Sequence, residues 1–184
     1  YRKTIEVPQS KKGEKVYLYF EGVYNYSEVY INGHLLGKRP NGYISFMYDA
    51  TPYIQWGEKN SIAVKADHSQ SADSRWYTGS GIYRNVWMVY ANPIHIAQWG
   101  IYVYPKIATK QQGVLSGSIE LENGTSLPEN ISIVSELFDK TGKSVAKFSK
   151  TVKLEANTNA TTPFEIKVKK PNLWSLDNPH LYTL

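Results

Sequence analysis

No cysteine occurs anywhere in the chain, so disulfides and thiolate chemistry are excluded together. That absence suits the cytoplasm and the periplasm equally and leaves the compartment open. No long apolar run is present either, which excludes a transmembrane helix and a membrane partner of that kind. The chain opens without a signal peptide, as a processed product also would. Charged residues make up only 20% of the chain, with a formal net charge of +5 and a pI near 9.2. The tight basic pairs, Lys11-Lys12, Lys38-Arg39 and Lys169-Lys170, each adjoin a glycine or a proline. A nucleic-acid surface needs a basic stripe with aromatics between the charges, so these are turn lysines and no nucleic-acid partner is expected.

Aromatic residues are abundant, at 14% with 15 tyrosines, and mark a folded chain with a real core. A length of 184 residues suits one large or two small domains. The periodicity is that of strands. Lys15 to Phe20 alternates Val16, Leu18 and Phe20 with Tyr17 and Tyr19, and Ser61 to Asp67 places Ile62, Val64 and Ala66 inward. Glu28 to Ile31 and His34 to Gly37 flank Asn32-Gly33, a pair that tolerates positive φ and so predicts a two-residue type I′ hairpin. Further strands are expected at Gly42 to Asp49, Arg84 to Ala91 and Ile94 to Tyr104, the last closed by Pro105, with a bend holding a helical turn near Thr51.

Beyond Lys110 the tyrosines give way to Ser, Thr, Asn, Glu and Lys, which puts a domain boundary near residues 104–110. Alternation then marks strands at Val114 to Leu121, Ile131 to Phe138, Ser144 to Leu154 and Thr162 to Val168, with turns at Asn123-Gly124 and Asp139 to Gly142. The fold class is therefore all-β: one β-sandwich over residues 1–104 and a second, immunoglobulin-like one over 105–184.

The stretch Asp73 to Met88 organises the first half. Polar residues lead to Trp76 and Tyr77, then to Gly79 and Gly81, then to the alternation Val86, Met88, Tyr90. Glycine there permits positive φ or close backbone approach, and the pattern by itself reads as a tight connection between two strands. The run Arg75-Trp76-Tyr77-Thr78-Gly79-Ser80-Gly81-Ile82-Tyr83-Arg84-Asn85-Val86 nonetheless resembles the signature of the N-terminal sugar-binding domain of family 2 glycoside hydrolases, their β-galactosidases above all. Two further blocks share the resemblance: Phe20 to Val23 with Glu28 to Gly37, Gly42-Tyr43 and Asp49, and Gly57 to Asp67.

The resemblance implies a jelly-roll, galactose-binding-like sandwich followed by the immunoglobulin-like one. It also implies that the chain starts inside the first domain at Tyr1 and stops inside a last strand after Asn178-Pro179, both ends belonging to a longer protein. In such enzymes retaining hydrolysis uses two carboxyl groups about 5 to 5.5 Å apart, carried by a following (β/α)₈ barrel. No alternation of strand and helix occurs here, so the catalytic glutamates are expected outside this chain, which would be inactive alone and would buttress the barrel of the same polypeptide. The substrate implied is a β-galactoside, in an enzyme that can form a homo-oligomer; β-glucuronidase and β-mannosidase are the alternative specificities.

Asp67 has two readings. At the end of an inward-alternating strand, before the polar loop His68 to Ser74, it can cap a turn. By resemblance it matches an aspartate that reaches the sugar subsite of the barrel and holds sugar hydroxyls or a metal ion beside them. Trp76 is either a sugar-stacking platform or packing, with Arg75 laying its stem across neighbouring groups. Glu21, Glu28, Asp49 and Glu58 lie by turns or on strand faces as solvated residues, and His34, His68, His95 and His180 lack metal-ligand spacing and read as surface or turn histidines. No cofactor is expected in the chain itself. A second class of function stays open, a free-standing carbohydrate-binding sandwich. Four Asn-x-Ser/Thr triplets, at Asn25, Asn123, Asn130 and Asn159, fit chance in so Asn-, Ser- and Thr-rich a chain.

Overall fold

A computed structural model describes residues 1–69 and 79–184. The chain forms two compact units, Tyr1–Asn92 and Pro93–Leu184. The boundary falls a whole strand earlier than the composition change suggests. Residues 94–104 carry the tyrosine-rich flavour of the first half, but hydrogen bonding, and not composition, assigns a strand to a sheet.

In the first unit the strands are β1 (Arg2–Glu6), β2 (Lys15–Phe20), β3 (Val23–Tyr24), β4 (Ser27–Ile31), β5 (His34–Arg39), β6 (Phe46–Asp49), β7 (Lys59–Lys65), β8 (Gly81–Ile82) and β9 (Val86–Ala91). They build one sheet in the order β1-β7-β4-β5 and another in the order β6-β2-β9, with β3 and β8 as a short extra pair. Alternation does the work: Val16, Leu18 and Phe20 from β2 meet Val29 and Ile31 from β4, Val64 from β7 and Phe46 from β6 in one buried cluster. Phe20 and Phe46 are register partners and their rings stack at 5.0 Å, which adds about 0.5–1.5 kcal/mol to the burial itself. The Asn32-Gly33 hairpin forms as expected, with φ of 50° and 85° at the two turn residues and Ile31 opposite His34.

The expected strand from Gly42 begins only at Phe46. The Asn41 side-chain oxygen accepts the backbone N–H groups of Tyr43 and Ile44, and this local turn removes both from any ladder. The bend after Asp49 holds a short 3₁₀ turn at Thr51–Tyr53.

The second unit has β10 (Ile94–Ala108), β11 (Gln112–Asn123), β12 (Glu129–Phe138), β13 (Ser144–Leu154) and β14 (Thr158–Lys169). Its sheets are β10-β11-β14 and β12-β13, and Ile119, Leu121, Ile133, Leu137, Leu154, Phe164 and Ile166 fill the space between them. Pro105 does not close its strand. β10 is an outer strand, where a missing N–H costs no ladder bond, and it continues past Pro105 through a register shift before Ile107. Phe138 and Thr183 form an isolated antiparallel bridge, exchanging N–H to carbonyl bonds of 2.8 and 3.0 Å.

Buried asparagines hold each unit together at its turns. Asn60 and Asn123 are 0% and 2% exposed. Asn123 donates through Nδ2 to the carbonyls of Leu127, Leu154 and Glu155 and accepts through Oδ1 from Thr125. Asn25 is buried as well, so neither Asn25 nor Asn123 presents its amide as a glycan acceptor.

Candidate functional site around Asp67

β7 ends because its next backbone donor finds a partner off the ladder: the Asp67 N–H donates to the Asn25 carbonyl at 3.0 Å. Asp67 Oδ1 accepts the Ser69 N–H at 3.1 Å and the Ser69 hydroxyl at 2.6 Å, the side-chain-closed turn favoured by an Asp-x-Ser sequence. Asp67 Oδ2 lies 3.5 Å from Lys65 Nζ. The Ser69 hydroxyl and then the Ser69 N–H hold the Asp67 carboxyl below its ordinary value of 3.8; burial opposes them, and Lys65 adds smaller lowering effects. At neutral pH it is an anion with Oδ1 committed to a turn, and Asp67 lines a cleft of about 200 Å³ together with Tyr26, Glu28, Lys38, Arg39 and Lys65. The turn-capping reading of Asp67 thus holds for Oδ1.

The described residues on either side of positions 70–78 are anchored by side-chain contacts. His68 Nδ1 and Ser80 Oγ hydrogen-bond at 2.8 Å, the His68 ring meets the Tyr24 ring edge-on at 4.9 Å, and Tyr24 meets Tyr43 at 5.3 Å. Gly81 pairs with Tyr24. It has φ of +108° and its missing Cβ would stand 1.8 Å from the Tyr1 hydroxyl oxygen, so both reasons for glycine apply there. Beyond it the Tyr83 hydroxyl donates to the Gly42 carbonyl at 2.7 Å. Arg75 and Trp76 lie outside the described residues, as does Tyr77.

Hard cations take six or more oxygen ligands, whereas no group of three or more His, Asp or Glu side chains placed to hold an ion occurs among the described residues. The Lys65 ammonium already stands on the free side of Asp67. Of the histidines, His34 stacks on Tyr53 at 4.4 Å and His95 lies 3.5 Å from Glu122. His180 is only 7% exposed, buried beside the turn at Asn178 and not on the surface, with its ring edge against Tyr182. Glu21 is likewise engaged, accepting from Trp87 Nε1 at 2.8 Å.

Sequence reasoning missed the companions of Asp67. Lys65 and Glu28 become neighbours only through the pairing of β4 with β7. The one readable signal was the Asp-His-Ser spacing of the turn.

Residues 1–93 match the family description "Glycosyl hydrolases family 2, sugar binding domain" and residues 94–184 match "Glycosyl hydrolases family 2". The chain therefore belongs to glycosyl hydrolase family 2. It is 44% identical over 184 residues to a β-galactosidase of Bacteroides ovatus, covering all of this chain and 22% of that protein. It is 31% identical to a β-glucuronidase of Formosa agariphila, covering 99% of this chain and 21% of that one. In structure it is similar to a glycosyl hydrolase family 2 member from Bacteroides cellulosilyticus, with a TM-score of 0.90, 30% identity, and coverage of 98% of this chain and 25% of the other. The chain spans about a fifth to a quarter of the length of these relatives.

Proposed function

We propose that these two β-sandwich units are the non-catalytic front of a retaining β-galactosidase, and that Asp67 reaches from the first of them into the sugar subsite of a catalytic barrel borne by the same polypeptide. The observation that carries this reading is the state of the Asp67 carboxylate. Oδ1 is held by Ser69 and the carboxyl is ionised, while Oδ2 has only the Lys65 ammonium, at 3.5 Å, beside it among the described residues and can accept a further hydrogen bond. An ionised acceptor to a sugar hydroxyl forms the stronger kind of hydrogen bond. On this reading the acid and the nucleophile are carried by the barrel, and the two sandwiches bind or buttress.

β-Galactoside is preferred as substrate because the relative at 44% identity carries that activity in its name. A β-glucuronide is the second reading, supported by the relative at 31%. Chromogenic β-galactoside, β-glucuronide and β-mannoside, offered in parallel to this chain and to the longer polypeptide containing it, separate the readings. The expected outcome is cleavage of the galactoside by the longer protein alone. Preferential cleavage of the glucuronide would move the assignment to that substrate, and an inert longer protein that retains glycans would replace the enzyme reading with a carbohydrate-binding one.

A further inference from the structure

A row of charges crosses three strands of the first sheet and ends at Asp67. Glu28 on β4 is the register partner of Lys38 on β5 and of Lys65 on β7. Glu28 Oε1 accepts from Lys38 Nζ at 3.1 Å and lies 3.8 Å from Lys65 Nζ. Its other oxygen accepts the Tyr30 hydroxyl. Glu28 is thus engaged at both oxygens, and its carboxyl is held below its ordinary value by Tyr30 first and Lys38 next. It is a fixed anion in the middle of the row.

That fixed anion determines where Lys65 sits. The Lys65 ammonium stands between two carboxylates, 3.8 Å from Glu28 Oε1 and 3.5 Å from Asp67 Oδ2. Both separations exceed the roughly 2.7–3.2 Å of a made hydrogen bond. At 3.5 Å the Lys65 ammonium is a long, weak partner of Oδ2 that supplies counter-charge and leaves further lone-pair capacity on that oxygen. Asp67 is pinned on one side by Ser69 and drawn on the other by Lys65, with its outward acceptor left open.

We propose that Lys65, held in place by Glu28, is a positioning residue that aims the Asp67 carboxylate at a sugar hydroxyl; this rests on the reading of Asp67 given above. Loss of Lys65 leaves the two carboxylates facing each other without the charge between them, and Asp67 then turns away from Glu28. A hydroxyl remote from the reacting bond is held equally in ground and transition states, so the effect falls on KM and not on kcat.

The test uses the longer polypeptide with a chromogenic β-galactoside, and compares Lys65→Met, Lys65→Arg, Glu28→Gln, Asp67→Asn and the double variant Lys65→Met with Asp67→Asn. Exposed charge pairs are weak, so Lys65→Met is expected to raise KM about three- to fivefold and to leave kcat within about twofold. Lys65→Arg restores the wild-type KM. Glu28→Gln, which releases Lys65 to close on Oδ2, raises KM as well. With Asn at position 67, Lys65→Met has no further effect. An equal rise of KM in both backgrounds, or an unchanged KM when Asp67 is intact, overturns the proposal. An unchanged kcat/KM for Asp67→Asn alone overturns the underlying reading of Asp67 instead, so the two failures are told apart.

Discussion

Replacing Asn60 by alanine removes the polar centre of the first unit. Asn60 is fully buried and makes four hydrogen bonds: Oδ1 accepts from Asn32 Nδ2 and the Gln55 N–H, each at 2.8 Å, and Nδ2 donates to the carbonyls of Gln55 and Glu58 at 2.8 and 2.9 Å. Each net bond is worth about 1 kcal/mol, and partners left unsatisfied cost about as much again when water cannot reach them. Gln55 and Glu58 are exposed residues, so water recovers part of the loss at their carbonyls, whereas Asn32 Nδ2 keeps only its bond to the Tyr53 carbonyl, with Oδ1 still accepting the Ser61 N–H. The sum is about 3–4 kcal/mol. For a unit of this size a loss of 1 kcal/mol lowers the midpoint by about 4–8 °C, so a fall of roughly 12–32 °C is expected. Differential scanning calorimetry reads it, with the transition of residues 93–184 as internal control. A shift below about 5 °C, or an equal shift of both transitions, would refute the reasoning.

Gly117→Ala should damage the second unit alone, because the added Cβ would lie 2.2 Å from the Tyr102 carbonyl oxygen and 2.7 Å from the Phe164 ring; urea denaturation should show a loss of about 1–3 kcal/mol. Acid should weaken both units. Asp67 and Asp139 are held below their ordinary value of 3.8, first by the hydroxyls of Ser69 and Thr141 respectively, so the stability each contributes is present above the unfolded-state value and is lost as pH falls through the depressed folded one. Carboxyl titration by NMR should place both midpoints under 3.8, and the stability difference between the wild type and Asp139→Asn should vanish at the acid end.

Alternation alone located most strands, since a buried face repeats every second residue wherever a sheet has one covered side. Hence β2, β7, β11 and β12 were legible. Legibility failed where one side chain or one pairing decides. Asn41 captures the two N–H groups that would have extended β6, Pro105 is tolerated because β10 is an outer strand, and the unit boundary follows the β10–β11 ladder and not the tyrosine content. Asn60 and Asn123 belong to a residue type that is mostly exposed, yet a turn with several inward carbonyls needs a side chain with two donors. At the site, Asp67 was readable from its place at a strand end, but Lys65 and Glu28 required the register between β4 and β7.

The proposed contact of Asp67 with a sugar hydroxyl is tested most directly by the kcat/KM of Asp67→Asn for a β-galactoside in the longer polypeptide, with the melting temperature measured alongside. A hydrogen bond to a charged acceptor is worth about 1.5–3 kcal/mol, so a fall of about ten- to a hundredfold is predicted with little change in stability. A kcat/KM equal to that of the wild type would contradict the account.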